Sequence, residues 1–424
     1  MWLSDLQIVL PDHVLEHGSL RIENGLIADI VEGPVANAAV NGAGLIAIPG
    51  LIDMHGDMLE RDISPRPGAE LPFAMALHEL DKRLVATGIT TAYAAISFAW
   101  HTGQSLRSDA KARSIMATIH QMRPTLLADH YVHARFEITN PQAGEILEEM
   151  ILDGQVQLAS IMDHTPGQGQ YRDIEGYVKQ MFEWRKRMGD PLGGSGSEVT
   201  EEEVRYSVMV AQARPKAWDS VYSVAEVAKK HNVILASHDD DTREKVDLML
   251  EIGIGMSEFP VTKAAAARAR ERGLHVAMGA PNALQGRSLS GNLSALDAIA
   301  ERLVDILATD YYPASMLQAA FAIFHRGILP LHEAIKLVSE NVADALKLHD
   351  RGMLAVGKLA DVVLLDNSGS VPRVHGTLRQ GHPVYWDKFM WDRSMNARSN
   401  TAGVNHAKDH TISSAGAFRI SAFA

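Results

Sequence analysis

The sequence predicts an α/β protein: a (β/α)8 barrel of the TIM type with a small split β-sandwich formed by the two ends of the chain. Three observations carry this. Short apolar runs alternate with helical periodicity between residues 49 and 351, as in a parallel sheet closed on itself. Residues 1–48 and 352–390 show strand patterns and turn residues without a helical period. No glycine-rich dinucleotide fingerprint follows the first apolar run of the middle segment, which argues against an open nucleotide-binding sheet.

In the first 48 residues LQIVL, SLRIENG and LIADIVEG alternate, separated by Pro11-Asp12 and Glu23-Asn24-Gly25. This is half a β-domain, too short to bury a core alone. From Pro49, strands are expected at 50–56, 89–97, 129–138, 156–163, 232–238, 254–259, 275–280 and 304–309. Helices are expected at 74–87, 107–121, 222–231 and 262–272, then at 314–326 and 332–347. Residues 183–219 are charged, Gly-rich in the middle and longer than one helix requires. They read as a helical insertion, either a solvated hairpin or a lid or oligomer contact. Residues 352–390, with GKLADVVLLD, return to β and complete the sheet begun at the N-terminus. Residues 391–424 are polar and Ala/Ser-rich and are expected to form an extended arm.

Composition excludes several roles. The net charge is −12, the wrong sign for neutralising nucleic-acid phosphates. No apolar run is long enough to span a bilayer, and no basic-then-apolar leader opens the chain. There is no cysteine, hence no disulfide, thiolate nucleophile or thiolate metal site. A cytoplasmic location is the expectation, and any metal must be held by imidazoles and carboxylates.

Such groups recur where strands are expected to end. His55 and Asp57 close Ile48–Asp57 at spacing i, i+2, which shares one face of a strand. Glu137 closes HARFE, His164 closes IMDH, His238 closes ILASH and Asp310 closes ILATD. One histidine at such a place is commonly a hydrogen-bonded core residue, and one carboxylate a helix cap. Three of each, closing five strands of a barrel whose chemistry sits at strand C-termini, point together to a metal site. The set exceeds the needs of one ion. Two divalent ions sharing Glu137 as a bridge would use it, and Zn, Mn, Fe and Ni all suit it. A hydroxide between two cations is a nucleophile at neutral pH. Asp310 is placed against it as general base, taking the proton and returning it to the leaving group.

The opening PGLIDMHGD, the strand-end histidines, Asp310 and the closing GKLADVVLLD resemble the amidohydrolase superfamily. Within it, HGDMLERDISPRPG, MDHTPGQGQ, MGAPNALQGRSLSGNLSA and LATDYYP are similar to the ribose 1-methylphosphonate 5-triphosphate diphosphatase family of the carbon–phosphorus lyase pathway. The resemblance covers residues 40–365. That family carries HxD where most relatives carry HxH, and Glu where many carry a carbamylated Lys, as do His55/Asp57 and Glu137 here. Gly56 stands where many relatives have Thr, and PGQGQYRD lacks a basic residue often found in that loop. The resemblance implies a phosphonate-metabolism hydrolase that releases diphosphate from a small phosphorylated substrate.

Lys263, Arg287 and Arg66, at expected helix starts or strand-following loops, are the candidate phosphate ligands, with Arg61 and Arg172 behind them. Surface ion pairing is their plainer role. Two rivals stand beside this reading: hydrolysis of an amide, cyclic amide or amidine at the same site, and a non-catalytic scaffold. By analogy with other large barrels, a homodimer is expected.

Overall fold

The computed structural model describes residues 1–66, 68–98, 106–188, 199–288 and 291–394. The N-terminal strands are β1 (Trp2–Val9), β2 (Val14–Glu23), β3 (Leu26–Glu32), β4 (Val40–Asn41) and β5 (Ile46–Pro49). The barrel strands are β6 (Leu51–Gly56), β7 (Ile89–Phe98), β8 (Asp129–Glu137), β9 (Leu158–Met162), β10 (Ile234–His238), β11 (Met256–Glu258), β12 (His275–Gly279) and β13 (Ile306–Ala308). The chain closes with β14 (Val362–Asp366), β15 (Arg373–Arg379) and β16 (His382–Trp386).

Strands β6 to β13 pair in sequence order, all parallel, each expected run having become a strand. Every residue of β6 and β7 is buried, as a sheet covered on both faces requires. Outside it, helices such as Phe73–Ala86 and Asp109–Met122 bury apolar stripes (Leu77, Leu80 and Leu84; Ile115 and Ile119). Inside, the lower barrel is filled by Ile52, Met54, Leu158, Met256 and Ile306. The polar groups of the candidate site lie above this apolar plug.

The seam between β6 and β13 is closed differently. At the C-terminal end Gly56 bridges Asp310. At the N-terminal end the amides of Ile52 and Leu307 donate to the carbonyls of Val338 (3.0 Å) and Leu337 (2.7 Å). That contact corrects the single helix expected over 332–347. Two short helices, Leu331–Lys336 and Glu340–Ala345, flank the break. The carbonyls freed there complete the barrel's hydrogen bonding instead of the helix's own.

The second sheet has the order β16-β15-β14-β5-β1-β2-β3, with β4 on β1. Antiparallel pairing of β14 with β5 joins the two chain ends. Leu3, Leu6, Ile8, Leu20, Val362 and Leu364 form a core separate from the barrel's. In the 183–219 region, helices Ile174–Met188 and Glu201–Gln212 pack around Val178, Val204 and Val208 as a hairpin. A capping box of Thr200 and Glu203 starts the second helix. The link between them and the expected arm from residue 395 lie outside the described residues.

Candidate active site

His55 and Asp57 do meet, with Nε2 and Oδ1 3.4 Å apart, but not through simple strand alternation. Strand β6 is irregular against β7: Asp53 faces Ala92 and Gly56 faces Ala94. The extra residue turns His55 inward above Met54, and Asp57 lies just past the strand. This is how bulges re-aim side chains. Asp53 holds the irregularity. It accepts hydrogen bonds from the Thr309 amide (2.9 Å), the Thr309 hydroxyl (2.6 Å) and the His55 amide (3.2 Å).

The centre of the site is Glu258, a residue absent from the sequence-derived set. It is fully buried and accepts from His55 Nδ1 (2.7 Å), His238 Nδ1 (2.7 Å) and the Ser160 hydroxyl (2.8 Å). Burial opposes its charge, yet His55 and the hydrogen bond from His238 hold it well below the usual carboxylate range. A carboxylate fixing both Nδ1–H groups leaves each Nε2 as the outward nitrogen. Burial likewise opposes charge on His55, but Glu258 and Asp57 raise it to about 10.

On β8, His133, Arg135 and Glu137 alternate inward, as a regular strand dictates. His133 is fully buried, and burial lowers it to about 3, so it stays neutral. Arg135 donates to Asp57 (3.1 and 3.3 Å) and to His238 Nε2 (3.1 Å). Despite burial, Arg135 and His55 keep Asp57 ionised far below its ordinary range. Glu137 accepts from His164 Nδ1 at 2.8 Å. His164 Nε2 lies 3.6 Å from Asp239 Oδ2 and His238 Nε2 3.8 Å from it, a convergence of three possible ligands. Asp310 has a positive φ of 57°. Burial raises its carboxyl to about 6, against the pull of His55.

Around these groups lie two adjoining hollows. One, of about 240 Å³, is lined by Asn282, Ser288, Asn292, Phe259 and Asp310. The other, of about 700 Å³, lies against the helical hairpin and is lined by Arg107, Arg214, Tyr171, Tyr177 and His164. Asp57, Arg135 and Gln170 line both.

The structure thus brings His55, Asp57, Glu137, His164, His238 and Asp310 to one place. It does not bring the three expected phosphate ligands there. Lys263 pairs with Glu301 at the surface (2.5 Å), and Arg66 and Arg287 are exposed. None of the three lines either hollow. Besides Glu258, the sequence reading passed over Arg135, Asp239, Arg107 and Arg214. Arg135 had a usable signal, sharing the parity of Glu137 on one strand.

Imidazole and carboxylate donors suit a divalent ion, and two buried atoms favour one here. His55 Nε2 and Asp239 Oδ2 have no hydrogen-bond partner among the described residues. Buried polar atoms are rarely left so.

A parallel barrel with imidazoles and carboxylates gathered at its C-terminal mouth, beside a sheet made from both chain ends, is the architecture of metal-dependent hydrolases of the amidohydrolase type. The Amidohydrolase family profile matches residues 242–385. The fold is similar to that of N-acetyl-D-glucosamine-6-phosphate deacetylase from Mycobacterium smegmatis (TM-score 0.60, 17% identity, 91% of this chain and 100% of that one). It is also similar to dihydropyrimidinase from Brevibacillus agri NCHU1002 (TM-score 0.55, 15% identity, 91% and 95%). Over 391 residues the chain is 34% identical to alpha-D-ribose 1-methylphosphonate 5-triphosphate diphosphatase of Escherichia coli (strain K12), covering 91% of this chain and 100% of that protein. The chain belongs to the family of that diphosphatase.

Proposed function

We propose that this protein releases diphosphate from ribose 1-methylphosphonate 5-triphosphate. The observation that carries the proposal is the gathering of six sequence-marked ligands around orphaned nitrogen and oxygen atoms, in a member of the diphosphatase family. His55, Asp57, Glu137, His164, His238 and Asp310 would hold two divalent ions, with Zn, Mn, Fe and Ni all compatible. Ions bound there lower the pKa of a coordinated water and neutralise phosphoryl charge.

The protein's own groups do the rest. Glu258 keeps the two imidazoles in the ligating tautomer. Asp310 lines the smaller of the two hollows, where its carboxylate is placed to accept the attacking water's proton. Arg135, already bonded to Asp57, brings a positive charge to the reacting phosphoryl group. A substrate carrying several charges cannot cross a bilayer unaided, which supports a cytoplasmic place of action. Tyr206, Met209 and Val210, exposed together on the helix Glu201–Gln212, support a homodimer.

Phosphorus NMR of the zinc-loaded protein with this substrate tests the reading. Diphosphate should appear, and its release should be slowed by about two orders of magnitude or more in Asp310→Asn. Full zinc occupancy with no diphosphate would overturn the proposal and direct attention to amide and amidine substrates.

A further inference from the structure

Resting on the diphosphatase reading, we propose that the cleft sorts its substrate by charge. The hollow beneath the helical hairpin receives the departing diphosphate, and the smaller hollow receives the ribosyl phosphonate.

The two spaces differ in chemistry. Beneath the hairpin, Arg107 and Arg214 join Arg135, with the phenols of Tyr171 and Tyr177 beside them. Glu60 positions Arg107 at 2.9 Å. The carboxylates lining this space, Asp57 and Glu137, are both candidate metal ligands. With ions bound, the space is left cationic, as an anion cradle requires. In the smaller hollow Asp57, Asp239 and Asp310 are candidate ligands in the same way and Arg135 is shared between the two spaces, so the difference in charge is Arg107 and Arg214, which line only the larger one. The amides of Asn282 and Asn292, together with Phe259 and Leu293, suit sugar hydroxyls and a carbon skeleton better than a multiply charged anion.

The direction of attack agrees. In phosphoryl transfer the entering and leaving oxygens lie roughly in line on opposite sides of phosphorus. Asp310 lines the smaller hollow and not the larger one. Water deprotonated by Asp310 therefore enters from that side. Its oxygen bonds to the α phosphorus as the bond to the bridging oxygen breaks. The electron pair leaves with diphosphate toward Arg107 and Arg214, while the water's proton stays on Asp310. The arginines, not a returned proton, meet the leaving charge. This differs from the role in proton return expected of Asp310 from the sequence.

Arg214 is exposed, follows the hairpin's second helix and can be changed without disturbing a core. The test is calorimetric titration of zinc-loaded protein with each product, inorganic diphosphate and ribose 1-methylphosphonate 5-phosphate, with zinc content checked before and after. Arg214→Gln should weaken diphosphate binding roughly tenfold or more, on the scale of a hydrogen bond to a charged group, and leave the monophosphate product within twofold. Asn292→Ala should do the reverse. Diphosphate affinity indifferent to Arg214, or an Arg214 effect confined to the other product, overturns the assignment while leaving the diphosphatase reading intact. If neither product binds the parent protein, the diphosphatase reading falls, and the assignment with it.

Discussion

Two imidazoles that donate to one buried carboxylate are fixed in tautomer as well as direction. Glu258→Gln keeps the volume, but its amide cannot accept from both His55 and His238 on separate oxygens. Chelator competition should then show zinc affinity reduced roughly tenfold to a hundredfold, with circular dichroism showing the barrel folded. Asp310→Asn should lower kcat by about two to four orders of magnitude, measured as diphosphate release. The residues behind these two predictions differ in how plainly the sequence displays them. Asp310, His164 and His238 each end an apolar run, where strand periodicity alone places them at a barrel mouth. Glu258 also ends such a run, yet it lines neither hollow. Its role depends on partners on β6 and β10, far away in sequence. Loop cations are less legible still. Lys263 and Arg107 both follow strands of the barrel, and nothing local tells that one turns to Glu301 and the other to Glu60 beside the site.

At the scale of elements, side chains set how helices meet strands. Asp81, on the helix Phe73–Ala86, accepts from the amides of Leu127 (2.7 Å) and Ala128 (2.9 Å) and from His130 Nε2 (2.9 Å). It thereby pins the start of β8, the strand that carries Arg135 and Glu137. Burial opposes its charge, but His130 and the two amides hold its carboxyl below the ordinary value of 3.8. A lowered carboxylate stabilises the fold above its unfolded pKa, and that contribution disappears as pH falls through the folded value. Asp81→Ala should cost about 2–4 kcal/mol at pH 7, since a buried amide and ring nitrogen lose their acceptor. The gap between parent and variant should narrow below pH 4, as read from urea unfolding at each pH. Helix boundaries were mostly legible because their apolar stripes are regular. The break after Lys336 was not. It answers to hydrogen bonds owed by β6 and β13, which no local pattern reports.

For the molecule as a whole, the sheet built from both ends makes stability depend on residues far from the barrel. Ending the chain after Arg351 removes β14 to β16, leaves β5 paired on one edge only, with β1, and opens the core around Leu6. Such a truncation should lose its cooperative thermal transition in calorimetry. Asp361, at the junction of sheet and barrel, carries the opposite pH signature to Asp81. Burial raises its carboxyl to about 6, so its contribution is fully present below the ordinary value of 3.8 and is lost as pH rises through about 6. Asp361→Asn should gain on the parent between pH 5 and 7, by about 1–3 kcal/mol, in denaturant titrations across that range.

The seam of the barrel has a consequence in time. Asp53 and Thr309 stand 256 residues apart in the chain, and His55 and Asp57 face Asp310 across the same line. Contacts that close so long a loop form late in folding. The pocket is therefore assembled only when the ring shuts, and an ion seated there would act as a clasp drawn over the join. During refolding, recovery of tight zinc binding should lag behind recovery of helical signal. Amide exchange at Asp57 and Asp310 should slow markedly once zinc is added. A chain halted short of ring closure would have most of its helices and none of its chemistry.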